Sequence, residues 1–193
     1  MYNILDDIAA FKAMLNDFVP FVQSPTIFWK LSNPGPFMKR YPTLTIAGII
    51  FCMEKLTKVQ TDLDSNTTNQ KNNLVAQMNY NLSKWNDLLI RKSLFEINSR
   101  LRSWKIYVDD CINDINDYDK YYTEEIYGRV YIHLLLQTLK NHDQISILQN
   151  KVHVYDRQLA QLFVENTFLW DESLQIVFPR KNYWYLYGRL KTT

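Results

Sequence analysis

The side chains best placed to do chemistry are carboxylates. Asp109, Asp110, Asp114, Asp117 and Asp119 fall within eleven residues, and on a helix Asp110, Asp114 and Asp117 would share one face. Carboxylates gathered that way could hold Mg²⁺ through oxygen ligands, so Asp109, Asp110 and Asp114 are the candidate metal-binding residues. The competing reading is a solvated acidic helix end running into a turn. A second constellation is His133, then His142-Asp143, then Asp156. Imidazole and carboxylate together suit a hydrolytic metal centre, but His142-Asp143 also fits an ordinary turn with Asn141 or Asp143 capping the next helix, and His133 sits among leucines.

The run Asp109-Asp110-Cys111-Ile112-Asn113 is similar to the Asp-Asp-x-x-Asp motif of terpene-type synthases, but it departs at the last position and no second acidic motif faces it. The order His, His-Asp, Asp is that of the metal-dependent phosphohydrolases named for it, yet here the first two members are only nine residues apart. No Gly-x-Ser-x-Gly elbow and no helical Glu-x-x-His pair occurs. Gly35, Gly48, Gly128 and Gly188 are too dispersed for a phosphate-cradling loop. No family is identified from these residues, and no cofactor is expected.

Binding is the alternative to chemistry. The 193 residues include 13 Tyr, 10 Phe and 5 Trp. Many of them crowd into a proline-rich arm, residues 24–42, and a tail, residues 167–193. Phe28, Trp29, Trp170, Tyr183, Trp184, Tyr185 and Tyr187 are therefore the candidate binding residues, since Trp and Tyr concentrate at interface hot spots. The same residues would serve equally as core. Arg180, Lys181, Arg189 and Lys191 beside Tyr183–Tyr185 would also suit weak gripping of single-stranded nucleic acid. A net charge of +2 and a pI near 8.4 argue against a dedicated nucleic-acid domain. The expected function is a non-enzymatic interaction module that binds a protein partner or itself as a homodimer. A small metal-dependent hydrolase is the second expectation, and a weak nucleic-acid binder the third.

The elements that must position these residues are helices. Scarce glycine and recurrent four/three apolar spacing predict an all-α bundle of about five helices in a single domain. They should span about 3–19, 43–63, 73–116, 122–140 and 143–166. Pro20 is expected to end the first helix. The run Asp64–Asn73 lacks any apolar residue and reads as a surface loop. The third helix would reach about 65 Å at 1.5 Å per residue, so it should break, project or pair with a second chain. Its apolar seam changes register at Leu89 and Ile90. Alternation in Tyr183, Trp184, Tyr185, Leu186 and Tyr187 suggests a short strand, pairing or packing with the Ile27–Leu31 segment of the arm. The longest apolar run, Ile46–Met53, is far shorter than the roughly 20 residues of a membrane span. With no basic leader, and with Cys52 and Cys111 in core-like positions, a cytoplasmic protein is expected.

Overall fold

The computed structural model describes residues 2–33 and 43–191. Pro34, Pro36, Phe37, Tyr41 and Pro42 of the expected arm lie outside the described residues. The described chain is mainly helical, with one short antiparallel strand pair near its C-terminal end. It forms two compact units, divided between Glu96 and Ile97. None of its described helices is long and apolar enough to cross a membrane.

In the N-terminal unit, helix α1 spans Ile4–Gln23. The Asn3 side chain accepts the Leu5 N–H, and Asp6 and Asp7 occupy the first turn. The expected stop at Pro20 does not occur. The helix runs one further turn because Phe21 and Val22 are buried by it, which offsets the hydrogen bond that proline cannot donate. Helix α2, Ile46–Lys58, is doubly capped. Thr45 Oγ1 accepts the Gly48 N–H at 2.9 Å, and the buried Glu96 carboxylate accepts the Ile46 N–H at 2.8 Å. It ends short of the expected residue 63, where the exposed polar run Gln60–Asp62 offers nothing to bury.

The polar run Asp64–Asn73 is not a loop. Asp64 caps helix α3, Ser65–Lys84, by accepting the Asn66 and Thr67 N–H groups at 2.9 and 3.0 Å and the Thr67 hydroxyl at 2.6 Å. The Thr67 hydroxyl leads in holding the Asp64 carboxyl below its ordinary range. A capped helix can begin on solvent-facing turns, and α3 buries only Leu74 and Met78. The expected long helix does break. Trp85 leaves helical geometry at φ −107°, ψ 19°, earlier than the register shift at Leu89 and Ile90, and helix α4 then runs Asn86–Asn113.

Two buried cations fasten this unit. Lys55 pairs with Asp7 at 2.7 Å with both side chains almost wholly enclosed. Lys92 donates to the carbonyls of Ser24 and Thr26 at 2.9 and 2.6 Å, with its ammonium 4.4 Å from the Phe21 ring centre. Burial draws the Lys92 pKa down against the attraction of Glu96. The start of the arm is thereby anchored, and Trp29 and Leu44 exchange backbone hydrogen bonds of 3.0 and 2.7 Å.

The C-terminal unit contains the remainder of α4, the single turn α5 (Ile115–Tyr118), a 3-10 turn at Asp119–Tyr121, and helices α6 (Tyr122–Thr138) and α7 (Ile145–Gln161). Neither Asn141 nor Asp143 caps α7: Gln144 stands at its N-cap position without a side-chain bond. The helix ends before residue 166 because the chain extends into strand β1, Phe163–Glu165. This strand pairs with β2, Gly188–Leu190, in the register Phe163↔Leu190, Val164↔Arg189, Glu165↔Gly188. The expected β pair of the tail thus exists, but its strand lies just beyond the alternating aromatics and its partner is β1. Trp184–Leu186 form a 3-10 turn instead of a strand. Gly188 is required by close approach, since a Cβ there would stand 2.3 Å from both the Val164 carbonyl oxygen and the Phe163 ring.

Candidate binding groove

Helices α6 and α7 are joined by a tight turn in which the His142 N–H donates to the Leu139 carbonyl and the Ile145 N–H to that of His142. The connection places one face of each helix along a groove of about 540 Å³. Arg129, His133, Leu136 and Gln137 enter it from α6 at helical spacings of four, three and one. Gln149, Val152 and His153 enter from α7. Lys140 comes from the turn and Asn182 from the tail.

A buried ion pair organises the groove's inner wall. Arg129 Nε and Nη2 donate to the two carboxylate oxygens of Asp156 at 2.8 and 2.7 Å, with side-chain exposures of 6% and 13%. This two-pronged geometry fixes the guanidinium plane. Its centre lies 4.5 Å from the Tyr185 ring centre, and Nη1 donates to the Tyr185 hydroxyl at 3.4 Å. Burial pushes the Tyr185 phenol well above its ordinary pKa, so it stays neutral.

His133 packs against Tyr183 with ring centres 4.5 Å apart. Burial first, and the Arg129 charge second, push its pKa down to about 4. At neutral pH the ring is uncharged. Gln137 Nε2 lies 3.0 Å from His133 Nε2; with the amide donating, that nitrogen accepts and the ring carries its proton on Nδ1.

Among the described residues the lining contains no carboxylate. Because Asp156 cancels Arg129, Lys140 supplies the unspent positive charge, and among the described residues it has no ion-pair partner. Three carboxamides, Gln137, Gln149 and Asn182, add both donors and acceptors.

The candidate residues named from sequence are placed differently from one another. Tyr183 and Tyr185 are buried and form part of the groove's support. Trp170 stacks on Tyr127 at 4.5 Å and meets Phe178 edge-on at 5.2 Å. Trp184 sets its edge against Phe163 at 5.1 Å. Tyr187 donates its hydroxyl to the Phe178 carbonyl at 2.8 Å. Much of the tail's aromatic density is therefore internal packing of this unit. In the N-terminal unit Phe28 is 42% exposed, and Trp29 is half-buried with no hydrogen-bond partner for its indole N–H among the described residues.

Two of the acidic candidates are engaged locally. Asp109 pairs with Lys105 one turn earlier. Asp114 caps α5 by accepting the Asp117 N–H at 3.2 Å. His142 Nδ1 accepts the Gln144 N–H within the α6–α7 turn. No group of three His, Cys, Asp or Glu side chains among the described residues converges as a metal-ion set.

His133 and Asp156 stand out in the sequence as candidates for metal chemistry, whereas Arg129, Gln137, Lys140, Gln149 and Asn182 belong to no motif. The signal was present as spacing: Arg129, His133, Leu136 and Lys140 line one helical stripe, and Gln149, Val152, His153 and Asp156 another. Comparison of the chain with protein-family models, with curated proteins and with solved structures finds no match.

Proposed function

We propose that the chain is a non-enzymatic interaction module whose C-terminal unit receives a segment of a protein partner in the α6–α7 groove. The observation that carries this reading is an open groove whose polar lining side chains Lys140, Gln149 and Asn182 are left without side-chain hydrogen bonds to the protein, among the described residues. Polar groups held at a concave surface without internal partners are available to a ligand.

Binding fits better than catalysis because two of the groups suited to proton transfer at this wall are compromised. His133 is a weak base near pH 7, since its pKa has fallen to about 4. Asp156 is committed to Arg129 through both oxygens.

A photo-crosslinking residue at position 149 in the full chain, expressed in its native host, tests the reading. A discrete protein adduct is expected. It should disappear when Gln137 is also replaced by Trp to fill the groove, and should not form from the same probe at the exposed position 5. Equal labelling from positions 149 and 5, or no adduct from 149, would overturn the proposal.

A further inference from the structure

The groove's chemistry narrows what it can hold, provided that it is a partner site as proposed above. We infer that the occupant is an acidic peptide segment carrying a single carboxylate beside an apolar side chain.

Charge sets the first limit. The Arg129 guanidinium has given its fork to Asp156 at 2.7 and 2.8 Å, so it cannot also clamp a phosphate in the same two-pronged way. His133 is neutral. Of the lining's Lys and Arg side chains one, Lys140, remains to meet one negative charge, and among the described residues no acidic group in the lining repels it. A polyanion such as a nucleic-acid strand would need a run of cations that this wall does not supply.

The carboxamides set the second limit. Gln137, Gln149 and Asn182 each bring a carbonyl oxygen as well as an amino group. A free inorganic anion, which only accepts hydrogen bonds at full charge, would use the amino groups and leave the carbonyl oxygens unanswered. A peptide backbone alternates N–H and C=O and can answer both. Leu136 and Val152 provide an apolar contact in the same groove. Together these features match a main chain lying in the groove, one acidic side chain reaching Lys140, and an apolar neighbour against Leu136 and Val152.

The test uses two fluorescent pools of degenerate hexapeptides drawn from Leu, Val, Ala and Gly, identical except for a central Glu or a central Gln. Anisotropy titrations with the full chain at pH 8 should show the Glu pool binding at least about fivefold more tightly than the Gln pool. Its affinity should weaken as ionic strength rises, as screening of one exposed ion pair requires, and the Gln pool should show no such dependence. Lys140→Gln should abolish the preference and Lys140→Arg should retain it. Inorganic phosphate at millimolar concentration should compete weakly. Equal binding of the pools, no binding of either pool, or a preference that survives Lys140→Gln would overturn the inference. If the acidic preference fails while the adduct from position 149 persists, the partner site stands and its assigned chemistry falls. If the adduct itself is missing, the partner site falls as well.

Discussion

Replacing Asp156 by Asn changes almost no volume but removes the carboxylate that neutralises Arg129 within the wall of the groove. The two side chains are 6% and 13% exposed and meet through two hydrogen bonds. Removing one partner of a buried pair costs about 3–5 kcal/mol, because the other charge is left uncompensated. The Asn carbonyl can still accept one of the two bonds, so the lower end, about 3 kcal/mol, is expected. In urea unfolding followed by tryptophan fluorescence, a slope of about 1.5 kcal/mol per molar would convert this to a midpoint lowered by roughly 2 M. Trp170 and Trp184 report from the same unit. The same substitution should act on binding in the opposite direction. An uncancelled guanidinium adds a positive charge to the wall, worth about 1 kcal/mol across a partly screened distance, so affinity for the Glu pool should rise roughly fivefold. The apolar double variant Arg129→Met with Asp156→Leu should recover most of the lost stability while gaining no affinity. A stability loss below about 1 kcal/mol for Asp156→Asn, or a double variant no better than the single one, would refute the account of the wall as a charge-cancelled pair.

Two other perturbations follow from the geometry. Gly188→Ala should lower the melting temperature by several degrees, equivalent to about 2 kcal/mol or more, because the added methyl meets the Val164 carbonyl and the Phe163 ring at 2.3 Å; an unchanged melting temperature would contradict the strand packing. His133 makes stability depend on pH: the unfolded imidazole takes up a proton near 6.5, whereas the folded ring resists until about pH 4. Stability present at neutral pH is therefore lost as pH falls through that window, by about 2 kcal/mol after allowance for the ring's partial exposure. Glu125, whose carboxyl is raised by burial and then by Glu124, contributes with the opposite sign. The comparison is accordingly wild type against His133→Gln, and the two stability curves should converge as pH falls from 7 to 4; parallel curves would rule the effect out.

The helices that bury a stripe could be read from spacing. In α1, Ile4, Ile8 and Phe11 recur at intervals of four and three, Phe18 follows seven residues on, and all four are buried. Elements stabilised in other ways were hidden. α3 begins on a cap formed by Asp64, not on apolar residues, so a hydrophobic pattern registers only its second half. The continuation past Pro20 depends on burying Phe21 and Val22, and local preference cannot report tertiary packing. The aromatic tail was visible as composition, but alternation there described neither its 3-10 turns nor the pairing of Gly188–Leu190 with β1. The groove escaped because its chemistry is distributed: no motif joins Arg129 to Asp156 or Lys140 to Asn182, and only the folding of α6, α7 and the tail together brings them to one wall.

The anchoring of Ser24 and Thr26 by Lys92 has a consequence for how this chain can change over time. The ammonium grips main-chain carbonyls, which every residue type supplies. Side chains at positions 24 and 26 are thus free to drift without loosening the attachment, whereas the whole constraint falls on one position of α4. Across diverged versions of this protein, a lysine at 92 beside variable neighbours at 24 and 26 is the pattern such an anchor would leave.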